Sequence, residues 1–206
     1  RRMRALHEVS LAAASILDPA ELARVALDEL LRIFAADRAF MFLAEDGDGR
    51  DLVPYLGRDG SGEDLAELTG YGSTLVERVR SDHQALVITG SDEGAALGSR
   101  STVVHGLRSI MVAPLLLRGR LVGVLYLDSR AAKGIFTADD VDILAAITHH
   151  VATALETART AQLERAVHVA NRERDVAETL RHAMSDLTST LVVGEVAARL
   201  VATVTG

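Results

Sequence analysis

Two long apolar segments joined by a very short connection constrain the fold of this chain more than any other feature. Residues 109–117 and 121–128 are almost continuously apolar, and Arg118-Gly119-Arg120 lies between them. A short glycine-containing connection between two strand-like segments predicts a β-hairpin. A strand with one face in water alternates apolar and polar residues, and these segments do not alternate. We therefore expect both faces of the hairpin to be covered.

Weaker strand and helix patterns flank this hairpin. Apolar residues 39–43 and 52–56 lie on either side of an Asp/Gly turn, and residues 85–89 form a further short strand pattern. Helical periodicity is present at residues 3–17, from the N-cap Asp18 and Pro19 to Ala36, and at residues 73–80. This order of elements predicts an α+β fold with helices flanking an antiparallel sheet.

A long helix is predicted from Thr137 onward. Thr137 is a suitable N-cap with Asp140 following, and the helical period then continues for about fifty residues. Apolar residues recur at intervals of three and four, as in a coiled coil. The positions predicted for a dimeric helix are Leu144, Ile147, Val151, Leu155, Ala158, Ala177, Leu180, Met184 and Leu187.

The alternative for this segment is one solvated helix without a partner. Because an isolated solvated helix of this length would be poorly stabilised, we favour a homodimer formed through the helices. The two heptad registers do not join smoothly across residues 162–165, which indicates a discontinuity or the edge of a globular domain.

The end of the chain resembles its beginning. When Leu6 is aligned with Leu180, Leu17 falls on Leu191 and Glu21 falls on Glu195. In this alignment the break at residues 18–20 falls on residues 192–194. The predicted organisation is a domain at 1–160 including an N-terminal helix, a coiled-coil linker at 161–187, and the start of a truncated second domain at 188–206.

Composition excludes several functions. The chain has no cysteine, which removes disulfides, cysteine nucleophiles and thiolate metal sites. Lys and Arg total 22 against 29 Asp and Glu, and the net charge of −7 argues against nucleic-acid or anionic-membrane partners. No apolar run approaches the roughly 20 residues of a membrane span, so we expect a cytoplasmic protein.

The residues from Gly106 to Arg159 carry a family resemblance. Gly106 to Leu115, Gly119 to Ser129, and the segment from Phe136 through the helix to Arg159 together resemble a bacterial GAF domain. The resemblance implies a six-stranded antiparallel sheet with the terminal helices on one face and a small-molecule pocket on the other. It also implies tandem copies and dimerisation through the flanking helices, in input modules of sensor histidine kinases, cyclases, serine phosphatases and transcription activators.

Three specialised members of that family are not matched. Free methionine sulfoxide reductases of this fold and bilin-bearing phytochromes need cysteines, and the chain has none. Members that bind cyclic nucleotides carry an Asn-Lys pair followed by a Phe and an Asp-Glu. Asp128-Ser129 stands at that pair, and although Phe136 and Asp140 match, Val141 replaces the Glu. We attribute the partial match to helix capping.

The predicted pocket walls come from the irregular loop before the hairpin and from the strands beside it. The candidates, which combine apolar walls with a few polar groups, are Phe40, Phe42, Tyr55, Ser101, His105, Ser109 and Met111. The alternative for some of them is that they simply fill the core. His105 is also where haem-binding members of the family place their proximal ligand, so a haem-based gas sensor is a further alternative.

Other histidines do not indicate a metal site or a kinase. His149 and His150 are adjacent on a helix and point about 100° apart, so they cannot share one metal as an i, i+4 pair would. His182 is on the long helix, but Ala183 follows it where a phosphoacceptor box needs an acidic residue. The leading prediction is a non-catalytic module that senses an unspecified small molecule, and the competing one is a structural dimerisation spacer without ligand.

Overall fold

A computed structural model describes residues 16, 18–45, 51–89, 109–130 and 136–204 of the chain. The helices are α1 (Pro19–Phe34), α2 (Ser73–Asp82) and α3 (Ala138–Val204), and the strands are β1 (Arg38–Ala44), β2 (Leu52–Asp59), β3 (Leu86–Thr89), β4 (Ser109–Leu117) and β5 (Arg120–Ser129). Within these residues the strands form one antiparallel sheet in the order β2-β1-β5-β4-β3. The predicted α+β class is confirmed. The sheet has five described strands where the resemblance implied six, which is a minor difference.

The β4–β5 hairpin lies inside the sheet, as predicted. Its turn places Arg118 and Gly119 at positive φ values of 51° and 81°, and the hairpin register pairs Leu117 with Arg120. β5 also pairs with β1, and here Gly123 is required. A Cβ added to Gly123 would lie 2.3 Å from the Phe42 carbonyl oxygen, so only glycine permits the strands to approach this closely.

The two sheet faces have separate cores because side chains alternate along each strand. The first, which we call the helix face, packs Met41, Leu43, Met111 and Ala113 against α1 and the beginning of α3. The second packs against α2 and against residues 60–72, the connection between β2 and α2. We call residues 60–72 the strap and this second surface the strap face. Both faces of the hairpin are therefore covered, as the sequence predicted.

Helix α1 begins where the sequence places its N-cap. The Asp18 carboxylate accepts a hydrogen bond of 2.8 Å from the Glu21 backbone N–H, and Pro19 occupies the first turn. In the first turn of α3, the Asp140 carboxylate accepts hydrogen bonds from both the backbone N–H and the hydroxyl of Thr137, each 2.9 Å. Asp140 thus caps the helix, which supports a structural reason for its partial match to cyclic-nucleotide binders.

Helix α3 is one uninterrupted element from Ala138 to Val204. It shows no break at residues 192–194, where the internal repeat placed one, and none at residues 162–165. The chain divides into two compact units, Arg1–Thr160 and Ala161–Gly206. The assignment of 188–206 to a second domain stays a prediction.

The first five positions predicted for the dimeric helix are buried within their own chain. Leu144, Ile147, Val151, Leu155 and Ala158 are each at most 2% exposed, and all belong to the helix-face core of their own chain. A heptad-like spacing of apolar residues fits a helix that lies on a sheet as well as a coiled coil. By contrast, Ala177, Leu180 and Met184 are exposed, and the side chain of Leu187 lies outside the described residues.

Candidate functional site

The floor of the strap face is aromatic. Phe40 and Phe42 point to this face from β1, and Tyr126 points to it from β5, where it is the register partner of Phe40. All three side chains are at most 2% exposed. Because strands fix their backbones from both sides, these rings form a rigid surface.

A fourth ring comes from the strap. The Tyr71 ring centroid lies 4.8 Å from that of Phe42, 5.7 Å from Phe40 and 6.2 Å from Tyr126, with interplanar angles between 52° and 68°. Tilted and edge-to-face arrangements of this kind are favoured by the quadrupoles of aromatic rings. Tyr71 is only half-buried, so it covers the other three rings from the solvent side.

Both glycines next to Tyr71 are held by the sheet. The Arg38 Nη2 donates a hydrogen bond of 2.8 Å to the Gly70 carbonyl oxygen. The Gly72 N–H donates one of 3.1 Å to the Tyr126 hydroxyl oxygen. The backbone on each side of Tyr71 is therefore hydrogen-bonded to a polar side chain of β1 or β5.

Arg38 and Tyr126, which make these two hydrogen bonds, both neighbour the buried carboxylate of Asp128. Arg38 donates to Asp128 through Nε, at 3.0 Å from Oδ1, and through Nη2, at 2.6 Å from Oδ2. Burial raises the pKa of the Asp128 carboxyl, and the Arg38 guanidinium opposes this rise. Burial also raises the pKa of Tyr126, and the negative charge of Asp128 adds to the effect. The described residues contain no buried side-chain N or O atom without a hydrogen-bond partner.

The middle of the strap is fixed by a second ion-pair group. Arg58 of β2 contacts Asp28 of α1 at 2.7 Å and Asp64 of the strap at 2.6 Å, and Arg24 of α1 contacts the same Asp64 at 3.0 Å. Hydrogen bonds from Arg58 and Arg24 lower the pKa of the Asp64 carboxyl. The backbone N–H of Leu65 also donates to the Gly57 carbonyl at 2.8 Å.

The structure brings together only part of the predicted pocket. Phe40 and Phe42 share the strap face, whereas Met111 packs on the helix face, and Ser109, two residues earlier on the same regular strand, points the same way. Tyr55 is 36% exposed at the β1–β2 bulge, where Phe42 pairs with Pro54 and Met41 with Leu56. Ser101 and His105 lie outside the described residues.

Sequence reasoning missed four residues of this arrangement: Arg38, Tyr71, Tyr126 and Asp128. A signal existed for two of them, since Tyr126 and Asp128 are polar residues at alternate positions of an otherwise apolar strand. Tyr71 lies in a glycine-rich segment that carried no periodic pattern, so its contact with the sheet could not be foreseen.

Three clefts lie elsewhere on the described surface. One of about 540 Å³ lies between the β4–β5 turn and α3, one of about 520 Å³ lies beside α1 and Gly60, and one of about 250 Å³ includes His83 and His149. Of the predicted pocket residues that the structure describes, none lines any of these three clefts. Among the described residues no group of three or more His, Asp or Glu side chains is placed to hold a metal ion. No helix in the described ranges is long and apolar enough to cross a bilayer.

A sequence match agrees with this architecture of a sheet flanked by helices and covered on its second face. The family model for the GAF domain matches residues 18–155. The chain belongs to the GAF domain family. The match extends from the N-cap of α1 into α3 and includes the strap and its aromatic floor. GAF domains are generally regulatory.

Solved structures resemble this GAF domain although their sequences have diverged. Free methionine-R-sulfoxide reductase from Neisseria meningitidis, solved with its substrate, is 20% identical with a TM-score of 0.63, covering 78% of this chain and 91% of that one. The GAF domain of a phosphoenolpyruvate-protein phosphotransferase from Coxiella burnetii is 15% identical with a TM-score of 0.56, covering 77% and 95%. The nlh2 GAF domain of A. aeolicus in an inactive state is 14% identical with a TM-score of 0.57, covering 75% and 95%.

At these identities the likeness shows the fold alone. A search of curated proteins found no match to the chain.

Proposed function

We propose that this GAF domain is a non-catalytic regulatory module that senses a small molecule at the strap face and transmits its binding state through α3 in a homodimer. The observation that carries the proposal is the double role of α3. Leu144, Ile147 and Val151 are at most 1% exposed in the core beneath the sheet, and the same helix continues without interruption to Val204.

A helix that forms part of a packed core responds to changes in that core. Protein interiors are close-packed, so a shift of β1 or β5 on one face must be accommodated by the side chains on the other. Met41 and Leu125 of those strands pack in the same cluster as Leu144 and Leu155. A ligand that favours one packing of the sheet would thereby favour one position of α3.

The second half of α3 supports a dimer. Leu163, Ala170, Ala177 and Met184 are spaced by seven residues and lie on one side of the helix, and Leu180 lies beside them. Leu163, Leu180 and Met184 are between 60% and 68% exposed in the single chain. A second copy of the chain is the natural partner for this apolar stripe, because a parallel coiled coil presents the same positions from both helices.

We further propose that 161–187 is the signalling segment and that 188–206 begins a second GAF domain. The family resemblance favours a sensor histidine kinase as the output, with a cyclase, a phosphatase or a transcription activator as alternatives. The absence of cysteine supports a role other than that of the related reductase.

Light scattering on the 206-residue chain tests the dimer. We expect the wild type and His182→Glu, which adds the same group on the polar side of α3, to be dimers, and Leu180→Glu to be a monomer. A monomeric wild type would overturn the dimer, and a dimeric Leu180→Glu would overturn its formation through this stripe. A thermal scan with cyclic nucleotides, haem and amino acids then separates sensing from the spacer alternative. A saturable rise in melting temperature supports sensing, and no rise with any of them favours a dimerisation spacer.

A further inference from the structure

Tyr71 differs from the three rings that it covers. Phe40, Phe42 and Tyr126 belong to strands of the sheet, whereas Tyr71 belongs to the strap, which has no regular secondary structure. Its ring makes contact with all three of the others and leaves part of its own surface in solvent. It therefore completes an aromatic cluster from the outside.

The backbone around Tyr71 is suited to releasing it. Gly70 and Gly72 flank it, and Gly70 already adopts a φ of +72°, in the region where glycine moves freely. The two hydrogen bonds that hold these glycines, from Arg38 and to Tyr126, can each be exchanged for water when the strap lifts. The floor residues Phe40 and Tyr126 are held independently of the strap by their strands, because they are register partners across β1 and β5.

We propose that Tyr71 is an internal occupant of a binding site for one planar aromatic ring, and that a ligand carrying such a ring binds by displacing the Tyr71 side chain from Phe40, Phe42 and Tyr126. This inference rests on the proposed sensory function and names the class of ligand for its site.

The ring geometry selects the ligand class. The four rings meet at tilted or edge-to-face angles, including 73° between Phe40 and Tyr126, so the space that Tyr71 fills favours the quadrupole of another aromatic ring over an aliphatic group. The Arg38 guanidinium lies 5.2 Å from the centroid of the Phe40 ring and would border a ring bound there. Because the tethered Tyr71 competes at a high effective concentration, a free ligand must exceed its contacts in order to displace it.

The experiment uses p-cresol, which is the tyrosine side chain as a free molecule. In Tyr71→Ala the site is vacant, and we expect p-cresol to raise the melting temperature of the 206-residue chain saturably. The matched control Tyr55→Ala removes the exposed tyrosine of β2 and leaves the site occupied, so the same concentrations of p-cresol should shift it no more than the wild type. Cyclohexanol, which is similar in size but not aromatic, should leave the melting temperatures of Tyr71→Ala and Tyr55→Ala unchanged.

Equal shifts in Tyr71→Ala and the wild type, or no shift in a folded Tyr71→Ala, would overturn the inference. If Tyr71→Ala fails to fold, Tyr71→Val, which retains some apolar contact, takes its place in the same measurement. This melting test is read at the GAF domain and does not depend on dimerisation. Its failure therefore leaves the light-scattering result intact, and a monomeric wild type would leave the p-cresol result intact.

Discussion

The Arg38 guanidinium and the Asp128 carboxylate form a two-pronged ion pair between neighbouring strands, with N–O distances of 3.0 and 2.6 Å. Asp128 is completely buried, and the two residues are register partners of β1 and β5. The pair therefore fixes both the strand register and, through Gly70, the position of the strap.

Removing one partner of this pair should be costly. Asp128→Ala leaves the Arg38 charge half-buried without its carboxylate, and we expect a loss of about 3–5 kcal/mol in the free energy of unfolding. Urea denaturation of the full chain measures it. The control is Glu156→Ala, which breaks the exposed contact with Arg120 at 3.2 Å and should cost less than about 1 kcal/mol. Equal losses of unfolding free energy in the two variants would show that burial does not increase the contribution of the Arg38–Asp128 pair to stability.

Gly123 allows β1 and β5 to approach each other. In Gly123→Ala the new Cβ would lie 2.3 Å from the Phe42 carbonyl, a backbone atom that cannot rotate away, so we expect a loss of at least about 2 kcal/mol. Gly60→Ala is the matched control, because its Cβ would have no neighbour closer than 3.5 Å. Thermal unfolding compares them, and a Gly123→Ala protein as stable as Gly60→Ala would contradict the close strand approach.

The strap should loosen in acid through Asp64. Its pKa is lowered in the folded chain by Arg58 and Arg24, so its contribution to stability is complete above the unfolded value of about 3.9 and is lost as the pH falls through the folded pKa. The backbone amides of residues 60–72 should therefore be less protected from hydrogen exchange once the pH falls below the folded pKa of Asp64. In Asp64→Asn the strap should already exchange faster at neutral pH. Unchanged protection in that variant would mean that Asp64 does not hold the strap.

The two halves of α3 should respond differently to shortening of an apolar side chain. Leu144→Ala creates a cavity in the buried helix-face core and should cost about 2–5 kcal/mol in the free energy of unfolding. Leu180 is 60% exposed in the single chain, and we expect Leu180→Ala to weaken the dimer while leaving the unfolding of the domain nearly unchanged. Dilution series by light scattering and urea denaturation separate the two effects. A large loss of domain stability in Leu180→Ala would contradict the assignment of this stripe to a partner.

The sequence predicted the fold where local patterns and long-range packing agree. The β4–β5 hairpin, the Asp18 cap of α1 and the Thr137–Asp140 cap ahead of α3 are all visible as short-range signals, and all are present. The strap face was only partly predictable, because its key contacts join residues far apart in the chain. Nothing near Tyr71 indicates that it meets Phe42, and only the sheet register places Arg38 beside Asp128.

The positions predicted on α3 show a similar limit of local patterns. Spacing by three and four defines which side of a helix is apolar but not what covers it. At Leu144 and Leu155 the cover is the chain's own sheet, whereas Leu180 is 60% exposed in the single chain. Tertiary contacts, and not periodicity, distinguish these two halves.

Coupling between the aromatic site and α3 can be measured directly between the two copies of the chain. Because the sequence has no cysteine, Arg172→Cys supplies a single spin-labelling position on the exposed part of α3. Distances between the two labels are recorded by double electron–electron resonance in three states: Tyr71 present, Tyr71→Ala alone, and Tyr71→Ala with saturating p-cresol. We predict that the vacant site shifts the distance distribution and that p-cresol restores that of the Tyr71-containing chain. One identical distribution in all three states would contradict transmission from the strap face to α3.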